Sequence, residues 1–537
     1  MLKQSKVKNS IVLSGLVGTG GLFVAKLIGI VYAIPFSSIL GNVEYMGFYG
    51  QAYNIYSYVL NVFTAGFPFA IATMVAKYTV LNDTKTVLLV KKVAISMMML
   101  MGFVGMVLMM AFSGVLAPLM VANNAAIMAN VLRFLAIALF FVPVLSAFRG
   151  YYQGLKEMEE YAFSQAFEQI FRVGFLLSAA CLIVYGLHIE RRWALYTSVL
   201  STSVAAVAGI LQIMHFDRKK SKEIVSAAKQ QEKASLQEKA ILKELFILAI
   251  PYLISSILGY SQSIFNGVLL PTGLKMHYTS TDMISTIISA TSYVGVKLTA
   301  IPMVLAPGFT AAIIPHITTA LTQNNKKLVR KNVIDCLNVV LYIGLPVAFC
   351  LFVYSAPLNY TLFYTDDLAT STMVIQWLTI EAITGFVLPV VTNLMMALKL
   401  QPKVLKRLAI NAVIKGVLMV PLTALLGYGG AVIASLIADA YLIISCLHQI
   451  SVAYHISYNK VIAVVLRIGV GLLALWLVAT GLKHIGLDGL SNGKLVCLVK
   501  MCINGCISML VYVAVTVALK IPQLVFHKSL SIPRGKK

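Results

Sequence analysis

Lys26 stands in the apolar run GLFVAKLIGIVYAIPF (residues 21–36), and Lys297 stands as deep in another, SYVGVKLTAIP (292–302). A charge at the centre of a bilayer helix costs about 2.5–3.5 kcal/mol on insertion scales. Each ammonium therefore needs compensation, either from a neighbouring acid or from a hydrated cavity in which it attracts an anion. Glu168 and Arg172, four apart in SQAFEQIFRV, share a helix face and can pair with each other. Glu381 and Asp439 are carboxylates in apolar surroundings, where they can take a cation or a proton, or only hold helices together. Arg133, Lys415, Arg467 and Lys500 lie nearer the ends of their runs, from where a long side chain snorkels to the interface. The cysteines are scattered without a CxxC or Cys/His cluster, so no metal is expected. A lone acidic pair, Asp366-Asp367, is too little for a metal-dependent transferase.

The elements that position these residues follow from composition. Of 537 residues, 59% are hydrophobic and 12% charged, against about 25% charged in a soluble domain. Net charge is +24, with 43 Lys+Arg against 19 Asp+Glu. In a soluble chain that excess would point to nucleic acid; here the basic residues sit in short loops between long apolar runs, so no nucleic-acid partner is expected. A helix needs about 20 residues to cross the hydrocarbon core, and that ruler finds about fourteen spans. They centre near residues 25, 63, 105, 138, 175, 205, 257, 300, 345, 385, 417, 442, 470 and 508. Alternate junctions carry the cations: Lys77 to Lys92, Arg149 and Lys156, Arg218 to Lys243, Lys326 to Lys331, Lys399 to Arg407, Lys460 and the tail. The opposite loops hold only Arg191, Arg192, Lys275, Lys483 and Lys494. By the positive-inside rule both termini are cytoplasmic.

One polar insert interrupts the spans, giving a first lobe over residues 1–216 and a cytoplasmic linker over 217–244. A second lobe covers 245–456, and two further spans with a tail cover 457–537. Segments 69–93 and 309–333 coincide at seven positions, Phe69/Phe309 through Val93/Val333, which points to a duplicated six-helix unit. Duplicated bundles are a transporter plan. Pro35, Pro68 and Pro302 punctuate the spans and permit bending; they are either gating hinges or ordinary membrane-helix packing.

AKLIGIVYAIPFSSILG, TAGFPFAIATMVAKY, FRGYYQGLKEM, SQAFEQIFRV and SYVGVKLTAIP together resemble the multidrug/oligosaccharidyl-lipid/polysaccharide exporter superfamily. Within it they resemble the Gram-positive polysaccharide-biosynthesis branch, with its stage V sporulation protein B and MurJ-type flippases. The resemblance implies an all-α polytopic protein of the bacterial plasma membrane, with two pseudo-symmetric six-helix lobes around a cavity and two C-terminal helices. It implies flipping of an undecaprenyl-pyrophosphate-linked saccharide from inner to outer leaflet, without enzymatic chemistry or a cofactor. Lys26 and Lys297 match the cationic positions of the first and eighth spans. Gram-negative relatives add an Arg and a Glu in the second span, where YVLNVFTAGFP offers only Asn61 and Thr64. Arg149, Glu168 and Arg172 take structural or gating roles, and Glu381 and Asp439 are candidates for coupling to a monovalent cation or proton. Membrane potential alone is the other driving force. The expected partners are the lipid-linked oligosaccharide, membrane lipids and, for a monomer, cell-wall synthesis machinery. Lipid II is the first cargo; teichoic-acid or capsule precursors are the second. A cation-coupled multidrug exporter would place acids rather than lysines in the first lobe. A membrane glycosyltransferase would need large outer loops, and these are short.

Overall fold

The computed structural model describes residues 28–29, 31–231, 234–303, 317, 320–321, 323–487, 489–490 and 492–526. Among them there is no strand, and 13 helices are long and apolar enough to cross a membrane. They are α1 (Val43–Val80), α2 (Thr84–Met120), α3 (Ala125–Gly154), α4 (Met158–Gly186) and α5 (Arg191–Arg218). Next come α6 (Glu238–His277), α7 (Thr281–Met303), α8 (Lys326–Val353) and α9 (Leu368–Ala397). The last are α10 (Pro402–Leu426), α11 (Tyr428–Tyr454), α12 (Asn459–Leu487) and α13 (Lys494–Ala518). Each contains one of the expected centres, and the chain is a multi-pass membrane protein. The first expected span, with Lys26, lies outside the described residues, as does most of the stretch 309–322 in the second copy of the repeat.

Short polar side chains start the helices. Asn42, Asp83, Ser280, Asn325 and Asp367 each accept a hydrogen bond from the backbone N–H three residues on, satisfying a donor that the helix itself cannot. The acid of the Asp366-Asp367 pair thus has a structural task. Pro68 falls in the first turn of the helix Phe67–Val80, where a missing N–H breaks no bond; Pro35 follows a helical turn in which Tyr32 N–H donates to the Ile28 carbonyl. The break in α1 is made instead by Gly66, at φ +83°. A Cβ there would also stand 2.6 Å from the Ala249 carbonyl oxygen, so only glycine fits. Pro302 is buried near the end of α7.

The chain divides into two compact units, Met1–Thr272 and Gly273–Lys537. In the first, α3 crosses α1 closely because Gly150 and Gly154 present no side chain. A Cβ on either would meet the carbonyl oxygen of Pro68 or Ala72 at 2.7 or 2.6 Å, the small-residue contact of membrane helices. The FRGYYQG motif therefore has a packing reason. The helix of α5 continues to Lys229, and the polar insert is docked onto this unit. Asp83 accepts from Gln231 Nε2 at 2.6 Å and from the Ser235 N–H at 3.0 Å. Burial raises the Asp83 carboxyl, but these bonds and those from Thr86 win and hold it well below the usual carboxylate range. Further along, Lys91 pairs with Asp217 at 2.5 Å, and Tyr152 donates to the same carboxylate. In the second unit α12 and α13 pack on α8 through Ile468, Leu475, Tyr512 and Tyr342. Tyr354 locks that contact by donating to Asn504 at 2.7 Å.

Candidate functional site

In the first unit, α3 and α4 bring Arg149 and Glu168 together at 2.7 Å. Arg149 also donates to Ser164 Oγ and to its carbonyl, so the guanidinium is held from two sides. The expected intrahelical pair is therefore not formed: Glu168 is engaged by Arg149, and its helix neighbour Arg172 turns elsewhere. The cause is register. Arg149 comes from a different helix with its guanidinium already oriented by Ser164, while i,i+4 pairing on one helix contributes only about 0.2–0.5 kcal/mol. Arg172 lies over the ring of Tyr32, 5.9 Å from its centroid, and Tyr49 and Tyr53 stand within electrostatic reach of it. The Tyr32 and Tyr49 hydroxyls share a hydrogen bond of 3.0 Å, and Tyr53 bonds Thr202 of α5.

In the second unit, α9, α10 and α11 assemble a tighter group. Glu381 meets Lys415 Nζ at 3.4 Å. Asp439 accepts from Thr384 Oγ1 at 2.7 Å and from Asn411 Nδ2 at 3.3 Å, and Lys415 acts on it electrostatically. Asn411 and Lys415 are four apart on α10, as Glu381 and Thr384 are three apart on α9, so each helix offers two groups on one face. Lys415 was expected to snorkel; its side chain is 0% exposed. It sits about 20 Å along a helix too central for its stem to reach either end, and two carboxylates stabilise it there. Arg467 and Lys500 do find polar ends, at the Leu519 carbonyl (3.3 Å) and Asn492 (2.9 Å). No group of three or more His, Cys, Asp or Glu among the described residues could hold a metal.

Lys297 is half-buried in α7, directly after a π-helical segment, Ala290–Gly295. Such wide turns recur at functional sites. Two buried hydroxyls in or next to that segment, Ser289 and Ser292, have no hydrogen-bond partner among the described residues. Asn61 is half-buried on α1, with its amide donating to the Ser57 carbonyl at 2.7 Å.

The sequence matches the family "Polysaccharide biosynthesis protein" over residues 8–321 of 537. The chain belongs to that family. It is 29% identical over 436 residues to the lipid II flippase MurJ of Bacillus subtilis, covering 78% of each chain. Its fold is that of a solved lipid II flippase MurJ in an inward closed conformation, with a TM-score of 0.66, 14% identity, and 94% and 98% of the two chains covered. An inward-facing MATE family transporter of the MOP superfamily matches with a TM-score of 0.62 at 17% identity, over 80% of this chain and 95% of its own.

Three groups that matter in this family member were missed by sequence reasoning. Lys415 was misjudged from its distance to the end of an apolar run. The tyrosines 32, 49 and 53 were not singled out. The signal that could have found them is helical spacing, since Tyr49, Tyr53 and Tyr56 form one stripe on α1. Asp83 and Asp217 were not singled out either.

Proposed function

We propose that this protein flips an undecaprenyl-pyrophosphate-linked saccharide, lipid II in the first instance, from the inner to the outer leaflet by alternating access. The observation that carries the reading is the likeness to a lipid II flippase along 78% of both chains, with the matching fold in support. Lys297 supplies chemistry of the right sign: a membrane-embedded ammonium, next to a π-helical turn with unpartnered hydroxyls, suits a pyrophosphate. Lys is a point charge on a flexible stem and accepts phosphate from many directions. Lys26 takes the matching part in the first lobe. Differential contact with the head group in the inward- and outward-open states then shifts the equilibrium between them. Teichoic-acid or capsule carriers share the pyrophosphate and differ only in the sugars.

The MATE-like fold favours a second reading, a cation-coupled multidrug exporter. Against it stands Lys415, which already counters Glu381 and Asp439. For the same reason, coupling through these two acids is read as exchange of a proton rather than uptake of a metal cation.

The deciding experiment measures outer-leaflet lipid II with an impermeant probe in cells depleted of this protein, alongside total lipid II. The expected result is a fall outside with accumulation inside. Lys26→Ala and Lys297→Ala should each reproduce it at normal expression and membrane insertion. An unchanged distribution, with no redundant flippase present, would redirect the reading to another prenyl-linked saccharide or to the exporter.

A further inference from the structure

We propose that the first unit carries a saccharide-recognition strip on α1, formed by Asn54, Tyr58 and Asn61, which takes the sugar of the lipid-linked cargo. It rests on the flippase reading and deepens it: the lysines address the phosphate, and this strip addresses the uncharged part of the head group.

The first part of α1, Val43–Thr64, holds five tyrosines and three amides in 22 residues, inside a bilayer where polar side chains are expensive. It does not face lipid, since no residue from 43 to 66 is exposed. Nor is it sealed. Asn54, Ser57, Tyr58 and Asn61 are all half-buried, and at 3.6 residues per turn these positions fall on one face of the helix. From Tyr45 to Ala76 the chain carries no charged residue, so the strip is neutral.

Two backbone carbonyls fix which way the amides point. Gln51, fully buried, donates its Nε2 to the Asn266 carbonyl at 3.3 Å, in a π-helical turn of α6, Phe265–Leu269. A carbonyl only accepts, so Gln51 turns its Oε1 the other way, and Asn54 Nδ2 donates to it at 3.1 Å. Asn61 Nδ2 likewise donates to the Ser57 carbonyl at 2.7 Å. Each asparagine therefore keeps its Oδ1 and one N–H, and Tyr58 its hydroxyl, without a partner among the described residues. An open acceptor beside an open donor matches neighbouring sugar hydroxyls, each of which gives and takes a hydrogen bond, or an acetamido group, which does the same. The Tyr58 ring between the two amides adds a flat apolar face with a polar tip, suited to the C–H side of a pyranose. Other ligands fit less well. A phosphate only accepts and would leave both Oδ1 atoms unanswered, and an apolar cation would meet no acid here and leave every polar group unpaired.

The test uses the full purified chain in nanodiscs, titrated with lipid II and separately with undecaprenyl pyrophosphate, which lacks the sugar, with thermal unfolding as the check on folding. The wild type should bind lipid II more tightly than the bare carrier. Asn54→Leu and Asn61→Leu should each weaken lipid II binding by about three- to tenfold, the net value of a hydrogen bond or two, and Tyr58→Phe by about two- to fivefold. All three should leave the binding of undecaprenyl pyrophosphate and the melting temperature as in the wild type, which a packing role would not do. Should Asn54→Leu release Gln51 and fail to fold, Asn61→Leu and Tyr58→Phe still decide. Equal losses for both ligands, no loss for either in folded variants, or a wild type that binds the two ligands alike overturns the strip and leaves it a hydrated face only. If the wild type prefers lipid II through Asn61 yet depleted cells keep their lipid II distribution, the strip stands and the flippase reading falls. If depletion shifts lipid II while the folded variants bind it as the wild type does, the flippase reading stands and the strip falls.

Discussion

The two units solve one physical problem in opposite ways. Each places a cluster of three charges within its helices, where desolvation is costly. In the second unit Lys415 pairs with Glu381 and acts electrostatically on Asp439, and Thr384 and Asn411 each donate to one oxygen of Asp439. In the first unit Arg149 and Glu168 close on each other, and Arg172 is left with an unfilled Nε–H among tyrosines. Among the described residues the second cluster holds one cation and two anions, whereas the first holds two cations and one anion and a buried donor without a partner. A closed cluster fixes helix packing. An open one leaves buried donors without partners, at a cost in stability.

The contrast predicts a graded series of stabilities, and the largest effect belongs to Lys415→Met. Removing the ammonium strands two carboxylates in a buried place, at a cost of about 3–5 kcal/mol. The apparent melting temperature should fall steeply, and Asp439→Asn in the same chain should restore part of it. A Lys415→Met protein as stable as wild type would show that the cluster is wet and its pairing ornamental. Next comes Glu168→Gln, which weakens a charge-assisted contact and leaves Arg149 and Arg172 without an acid. The expected loss is about 1.5–3 kcal/mol. Adding Arg149→Met should recover much of it if the pair is the main interaction, and nothing if Glu168 instead serves Arg172.

How much of this was legible beforehand depends on what each residue needs from its neighbours. Helix number and placement were readable because apolar length alone sets them, and thirteen expected centres fall in thirteen separate helices. That Glu381 and Asp439 share a site was not readable, since α9 and α11 meet only through tertiary packing. Lys415 shows the failure most plainly: residue type and distance from the end of an apolar run say snorkelling, while two acids on neighbouring helices decide for burial. Arg172 is the converse case. Four-residue spacing promised it Glu168, and Arg149 of a neighbouring helix claimed that acid first. Local spacing proposes pairs; the bundle assigns them.

The smallest effects make the sharpest comparison, because they set two amides of the same kind side by side. Asn411 donates to Asp439 at 3.3 Å, whereas Gln169 Nε2 has no partner among the described residues. Asn411→Ala should cost about 1 kcal/mol, the net value of one hydrogen bond to a buried acceptor. Gln169→Leu removes a donor that is buried without a bond and replaces it with an apolar group of similar length. Its expected effect is within about 0.5 kcal/mol of zero, or stabilising, because the desolvation penalty of an unpaired amide disappears. Thermal unfolding of both variants in one detergent measures the difference. If Gln169→Leu proves as costly as Asn411→Ala, the amide is bonded in the resting protein and the first cluster is as closed as the second. If it is neutral, the amide is unbonded in the resting protein and the fold does not depend on it.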